Sequence, residues 1–288
     1  MKTIGLISNL QGIKIATLVR NIDHWFKQRG IELLVDDETA RLIERPATGC
    51  NRYDLVRRVQ CLMALGGDGT LLHSARLTAA LGVPIFGVNL GHLGFLTEVA
   101  IPYLYQALES LLADNYTIEE RMMLQAGVCR NSLVYEPVIG LNDAVITKGA
   151  FSRIIAFEIM VDGQLFNTYH ADGAIISTPT GSTAYSMSAG GPIVLPNLDL
   201  LLMTPICPHS LWARPLVIAA DSQVQIKLLS GLGEIMLTID GQHGMHLRTG
   251  DLITISKGKF RAKFIKLSNK TFFQILKEKL KEGKGPSI

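Results

Sequence analysis

The stretch CLMALGGDGTLLHSARL, Cys61 to Leu77, constrains this chain more than any other. An apolar run from Leu62 to Leu65 breaks on Gly66-Gly67-Asp68-Gly69 and restarts at Thr70 with helix-like spacing. A short buried strand, a glycine-rich turn and a helix together aim backbone N–H groups at phosphate. An acid in the middle of such a loop conflicts with simple anion binding. Asp68 repels phosphate oxygens unless a metal or a proton intervenes, and that conflict points to chemistry rather than to binding alone.

The flanking sequence extends the unit. Ile4 to Ser8 is a short apolar strand, and Ile13 to Gln28 carries Ile15, Leu18, Val19, Ile22, Trp25 and Phe26 at amphipathic helical spacing. Ile31 to Val35 reads as the next strand, Glu38 to Ile43 as a short helix and Cys61 to Leu65 as the third strand. Thr70 to Leu81 is helical, Val83 to Val88 is a strand, and Tyr103 to Leu112 is a further helix. This alternation means an α/β domain with a parallel sheet. Ligands of such sheets gather outside the carboxyl ends of the strands, where Asp68 and Asn89 fall.

Near Asn115 the texture changes. From Thr117 to Leu267 strand-length runs dominate, among them Ile154 to Val161, Leu165 to Tyr169, Ala174 to Ser177, Leu216 to Ala219 and Glu234 to Ile239. Asp162-Gly163, Asp240-Gly241 and Gly250-Asp251 mark turns between them. This predicts an all-β domain, a sandwich. Thr271 to Leu280 is a last helix. The expected domains are residues 1–115 (α/β, carrying GGDGT), 116–267 (β-sandwich) and 268–288, a C-terminal helix packing back on the first domain.

With 48% hydrophobic and 18% charged residues among 288, the chain has ample apolar material for a core. No apolar run approaches the ~20 residues of a membrane span. Met1 to Leu6 lacks a signal-peptide core and cleavage site and reads as the first strand. A net charge of +3 is too weak to argue for nucleic acid. The basic run Lys277 to Lys284, balanced by Glu278 and Glu282, reads as a solvated terminal helix. Cys50, Cys61, Cys129 and Cys207 lie far apart, with neither disulfide nor zinc spacing, and fit free thiols in a reducing cytoplasm.

Two familiar nucleotide signatures are missing. No G-x-x-x-x-G-K-[ST] occurs, and the first turn, Ser8-Asn9-Leu10-Gln11-Gly12, is not G-x-G-x-x-G. Three other stretches carry candidate chemistry. Asp172 to Gly191, DGAIISTPTGSTAYSMSAGG, is dense in hydroxyls and glycines that can wrap a polar ligand closely. Within it, Thr183 to Ser188 opens a short helix whose N-terminus favours an anion or a sugar oxygen, and Tyr185 either stacks on a base or fills core. Asn142-Asp143 suits the edge of a purine and a ribose hydroxyl, or else an Asx-turn. Asp240-Gly241-Gln242 reads first as a hairpin turn. His243 and His246 are three residues apart without a third ligand, which does not make a metal site.

Taken together, these segments resemble the NAD kinase family from Gly66 to Asp251, in the family's order. They are GGDGT (Gly66 to Thr70), NLGHLGFLTE (Asn89 to Glu98), an N-[ED] pair (Asn142-Asp143), DG-x-I-[IV]-STPTGSTAYS (Asp172 to Ser186) and the segment from Pro205 to Leu216. GGDGT alone is shared with lipid kinases and loosely with phosphofructokinases, whereas the Asp172 segment is far more specific.

The resemblance implies transfer of the γ-phosphoryl group of ATP to the 2′-hydroxyl of the adenosine ribose of NAD, giving NADP. It implies a Rossmann-like first domain, a β-sandwich second domain, a divalent metal ion, usually magnesium, and a cytoplasmic homotetramer or homodimer with sites near the subunit interface. No nucleic acid or membrane partner is expected. By position, Asp68 is the proton acceptor, with Gly69 beside it at the NAD. Gly66, Gly67, Gly69 and Thr70 form the phosphate-donor loop. Asn142, Asp143, Arg153, His170, Asp172, Thr183, Ala184, Tyr185, Ser186, Met187, Ser188 and Gln242 fall at NAD-binding positions. No metal ligand is assigned. Asp143 replaces the commoner Glu, and His170 stands where relatives carry Arg, Gln or Gly, a position tied to preference between oxidised and reduced cofactor. The rival readings are a lipid kinase of the same superfamily and a non-catalytic NAD or NADP sensor.

Overall fold

A computed structural model describes residues 1–8, 12–91, 94–210, 212–231, 233–267 and 270–282. His92 and Leu93 of NLGHLGFLTE, Asn9 to Gln11 of the first turn, Leu211 and the end of the basic tail lie outside the described residues. The chain forms two compact units, residues 1–120 with 262–288, and residues 121–261.

In the first unit, β1 (Thr3–Ser8), α1 (Ile13–Lys27), β2 (Glu32–Asp36), α2 (Asp37–Leu42), β3 (Gly49–Cys50), α3 (Arg52–Arg58), β4 (Cys61–Leu65), α4 (Asp68–Thr78), β5 (Ile85–Asn89), β6 (Val99–Ala100) and α5 (Leu104–Leu112) follow in order. The sheet runs β5-β4-β1-β2-β3, every pair parallel, and β6 adds to β5. Because the chain steps outward through β2 and β3 and then returns to the other side of β1, the strand order reverses between β1 and β4. Parallel α/β sheets of this kind take their ligands at such a reversal, beyond the strand ends. All five residues of β4 are buried, as are all five of β5, which matches the apolar runs Cys61 to Leu65 and Ile85 to Val88; buried Asn89 ends β5. Val19, Ile22 and Phe26 of α1 pack with Ile4, Leu6, Met63, Leu65 and Phe86. The helix Arg52–Arg58 was not expected; its signal is Asn51, whose side chain caps it by accepting the Asp54 N–H at 3.0 Å.

The second unit contains β7 (Thr117–Arg130), β8 (Leu133–Val134), β9 (Val138–Gly140), β10 (Asp143–Lys148), β11 (Ile155–Val161), β12 (Gln164–Ala171), β13 (Gly173–Ser177), a 3-10 turn Thr180–Thr183 and the one-turn α6 (Tyr185–Ser188). Then come β14 (Leu200–Ile206), β15 (Leu216–Ala219), β16 (Val224–Ser230), β17 (Ile235–Ile239), β18 (His243–His246) and β19 (Leu252–Lys266). One layer is β12-β11-β16-β19 with β7, β8 and β9, and the other is a six-stranded sheet, β15-β14-β13-β10-β17-β18. Phe157, Ile159, Ile226 and Ile253 of the first layer share one core with Ile146, Ile176, Met203 and Leu237 of the second, so this unit is a β-sandwich.

The C-terminal part of β19 belongs to the first unit. Phe264 pairs in parallel with Ile85, and Ile265 lies in the core around Phe86. Buried Glu98 pairs with Lys266 and accepts the Leu267 N–H at 2.8 Å. The last helix, α7 (Phe272–Glu282), brings Phe272 to 6.4 Å from Phe95, ring to ring. The unit boundaries at 120/121 and 261/262 thus differ from the expected 115/116 and 267/268. Both fall inside long strands, β7 and β19, and β19 runs without a break from one core, at Ile253 and Ile255, to the other, at Ile265.

Gly173, which pairs with Thr147 and Ile206 at the start of β13, has a packing reason. A Cβ there would lie 2.0 Å from the Ile146 carbonyl oxygen, an atom of the neighbouring backbone that cannot swing away. Gly173→Ala is expected to destabilise the protein by about 1–3 kcal/mol. Urea unfolding checks this, and an unchanged midpoint would disprove the close approach.

Candidate active site

In the first unit, the N–H of Gly66 donates to the Val88 carbonyl at 2.9 Å as β4 ends, and the chain turns at Gly67 into α4. Asp68 is the first residue of that helix, two residues earlier than the spacing suggested. Its carboxylate accepts the N–H of Phe95 at 2.9 Å through Oδ2 and of Leu96 at 3.1 Å through Oδ1. These bonds join GGDGT to the GFL segment of the following loop and hold the acid in one orientation. Gly94 makes this possible, since a Cβ there would sit 1.9 Å from Asp68 Oδ1. Gly66 is constrained too, by Thr70, whose Oγ1 would lie 2.2 Å from a Cβ. Gly67 and Gly69 are exposed, while Thr70 is buried.

Farther along α4, His73 Nε2 is 3.1 Å from the Arg52 guanidinium. Arginine only donates, so Nε2 accepts and the ring is neutral. Burial, with Arg52 and Arg76 adding to it, lowers the His73 pKa below its ordinary value. Arg52 also pairs with buried Asp36 at 2.6 Å. Neither His73 nor Arg52 was picked out from sequence, because they lie 21 residues apart with no motif joining them.

In the second unit, Asn142 and Asp143 sit where the chain enters β10, gripped on both sides. Thr178 takes the carbonyls: its Oγ1 donates to Leu141 O at 2.6 Å and its N–H to Asn142 O at 2.8 Å. Gly181 packs against the same peptide, where a Cβ would lie 2.1 Å from the Asn142 carbonyl oxygen. Asp240 takes the N–H groups of Leu141, Asn142 and Asp143, at 3.0, 2.7 and 3.2 Å. Gln242 follows on the same turn and is exposed. The fold therefore brings Asn142, Asp143, Gly181 and the Asp240–Gln242 turn into one cluster from three separate stretches.

Asp172, between β12 and β13, pairs with Lys148 at 3.6 Å, and its N–H donates to the Ile206 carbonyl at 3.0 Å. Within the run from Thr183, the hydroxyls divide. Ser186 is fully buried, bonded to Thr204 Oγ1 at 3.0 Å, whereas Tyr185 and Ser188 are exposed and Thr183, Ala184 and Met187 are half-buried. Tyr185 is thus not core. His170 is exposed on β12, and Arg153 is exposed in the loop before β11. The Thr178, Asp240 and Lys148 contacts lay beyond sequence reasoning because their partners are distant in the chain. Among the described residues no group of three or more His, Cys, Asp and Glu is arranged to hold a metal ion.

Burial, with the Asp240 carboxylate beside it, pushes the pKa of Asp143 up to about 7. The unfolded chain releases that proton near pH 4. The folded state therefore binds the extra proton between about pH 4 and 7, and its stability declines as pH rises through that window. Asp143→Asn removes the titration. Relative to this variant, the wild-type urea midpoint should fall between about pH 4 and 8; a difference that stays flat would contradict the shift.

The ATP-NAD kinase N-terminal domain family matches residues 4–116, and the ATP-NAD kinase C-terminal domain family matches residues 141–267. The NAD kinase of Desulforamulus reducens is 46% identical over 282 residues, 98% of each chain. That of Moorella thermoacetica is 45% identical, over 98% of this chain and 90% of its own. Among solved structures, yeast NADH kinase complexed with NADH superposes with a TM-score of 0.87 at 26% identity, covering 100% of this chain and 89% of that one. The NAD kinase from Archaeoglobus fulgidus in complex with ATP has the same fold, with a TM-score of 0.74 at 23% identity over 97% of this chain and 98% of that one. With both domain families matched in order and relatives alike along nearly its whole length, the chain belongs to the ATP-NAD kinase family.

Proposed function

We propose that this chain transfers the γ-phosphoryl group of ATP to the 2′-hydroxyl of the adenosine ribose of NAD, giving NADP. The observation that carries the reading is the Asp68 carboxylate, fixed at the first turn of α4 by the Phe95 and Leu96 amides. A carboxylate cannot remove the proton of a ribose hydroxyl in advance, since its ordinary pKa is about 4 and the alcohol is a far weaker acid. Phosphoryl transfer tolerates this, because its transition state is loose and the proton leaves late. Asp68 aligns the 2′-hydroxyl and accepts its proton as the new O–P bond completes, while the bond between the γ-phosphorus and the bridging oxygen breaks and ADP departs.

The glycine turn and the start of α4, at Gly66, Gly67, Gly69 and Thr70, hold the triphosphate at a helix N-terminus. The Gly66 and Thr70 N–H groups already go to the Val88 and Gly67 carbonyls, so these two residues shape the turn. A divalent ion, magnesium in this reading, would come with the triphosphate as part of the substrate and would offset its negative charge. Asp68 would fit such an ion: its two oxygens accept one backbone N–H each, from Phe95 and Leu96 of the loop after β5, and a carboxylate has about four lone-pair sites. On the acceptor side, Asn142 and Asp143 face adenine and ribose. Arg153, His170, Asp172, the run Thr183 to Ser188 and Gln242 complete the dinucleotide contacts. A lipid acceptor would need an apolar pocket. Buried Asp143, Ser177, Thr178, Thr180, Ser182 and Ser186 instead make this region polar, which favours the dinucleotide. A homodimer or homotetramer belongs to this reading, and four free cysteines support a cytoplasmic setting.

Incubation with NAD, ATP and magnesium should yield NADP, while diacylglycerol and sphingoid acceptors should yield nothing. NAD binding without product would favour the sensor reading. Asp68→Asn should lower kcat by about 10²–10⁴-fold with NAD affinity preserved. Near-full turnover in that variant would remove Asp68 from the chemistry.

A further inference from the structure

We propose that Asp240 is the positioning residue of the dinucleotide grip, holding the Leu141–Asp143 peptide in its binding shape without itself touching the dinucleotide. The inference deepens the function proposed above and rests on it for the roles of Asn142, Asp143 and Gln242.

Asp240 is 7% exposed, so its carboxylate must be satisfied from within the protein. Three consecutive backbone N–H groups do this. Oδ2 accepts from Leu141 at 3.0 Å, and Oδ1 accepts from Asn142 at 2.7 Å and Asp143 at 3.2 Å. Three successive amides can converge on one carboxylate only where the chain curls around it, so the carboxylate dictates the curl. The Asp240 N–H returns a bond to the Asp143 carbonyl at 3.0 Å, which locks the register between the two segments.

Two further observations show that the arrangement is built for close approach. Asp240 and Gly241 both have left-handed backbone, with φ of 52° and 62°, the conformation of a tight two-residue hairpin turn. From this turn the Asp240 carboxylate reaches the peptide that opens the neighbouring strand β10, and Gln242 follows at the same corner. Gly140, just before the clasped peptide, has no room for a side chain: a Cβ would lie 2.6 Å from Ile239 Cγ2 and 3.1 Å from Asp240 Oδ1. On the opposite edge, Thr178 and Gly181 already hold the carbonyls of the same peptide. The orientation of Asn142 and Asp143 is therefore set by a residue about 98 positions away, and the turn that supplies it also places Gln242.

The test is a comparison of Asp240→Ala and Asp240→Asn in the full-length protein, with steady-state kinetics for both substrates and calorimetric titration with NAD. Asp240→Ala should raise KM and Kd for NAD about tenfold or more, leaving KM for ATP unchanged. Asp240→Asn keeps the size and one acceptor oxygen but presents an amide to one of the three N–H groups, so it should fall between wild type and Asp240→Ala. If Asp240→Ala does not fold, the Asn variant carries the comparison alone. A fall in kcat with KM for NAD unchanged, or NAD titrations matching wild type, would overturn the role of Asp240 and leave the proposed reaction standing. A wild-type protein that binds no NAD would sink both.

Discussion

Carboxylates that accept backbone amides shape both halves of the candidate machinery. Asp68 takes two N–H groups from the loop after β5, and Asp240 takes three from the peptide that opens β10. A loop peptide that turns away from solvent must find partners for its N–H groups, and an ionised acceptor binds them more strongly than a neutral one. In return, the carboxylate loses its freedom to rotate. One interaction type thus sets the loop and fixes the acid. In the proposed reaction the fixed Asp68 is the acid that meets the ribose hydroxyl, and Asp240 is the support beneath the peptide proposed to grip the dinucleotide.

Glycines permit this construction where side chains would prevent it. At Gly94, the missing Cβ leaves the space that the Asp68 carboxylate occupies, and at Gly181 it leaves room for the Asn142 carbonyl. These glycines are explained by contact rather than by backbone conformation. The motifs GGDGT, GFLTE and STPTGSTAYS therefore read as pieces of interlocking surface. Gly94 meets the Asp68 carboxylate of GGDGT and Gly181 the Asn142 carbonyl, each a polar group from another part of the chain.

The charge balance around Asn142 and Asp143 adds a functional consequence. Two carboxylates, Asp143 and Asp240, share a buried corner, and the amides all go to Asp240. Asp143 is left with burial and a like charge, which explains why its proton is held to about pH 7. A group poised in this way can donate to or accept from a ligand as pH changes, which suits the ribose or adenine contact proposed for Asp143.

Much of the architecture was legible in the chain itself. Apolar runs with glycine punctuation placed β1, β4 and β5, helical spacing placed α1 and α5, and the change of texture near Asn115 separated an α/β unit from a β-sandwich. Local pattern carries these features because burial of a strand or of one helix face is written in nearest-neighbour spacing. The motifs and their order also sufficed to recognise the family. Tertiary structure alone decided where β19 passes from one core to the other, and that Ser186 turns inward while Tyr185 stays exposed. It alone revealed that Asp240, readable only as a hairpin turn, organises the peptide 98 residues before it. No local spacing encodes such a contact, since it exists only once two distant segments have been brought within hydrogen-bonding distance.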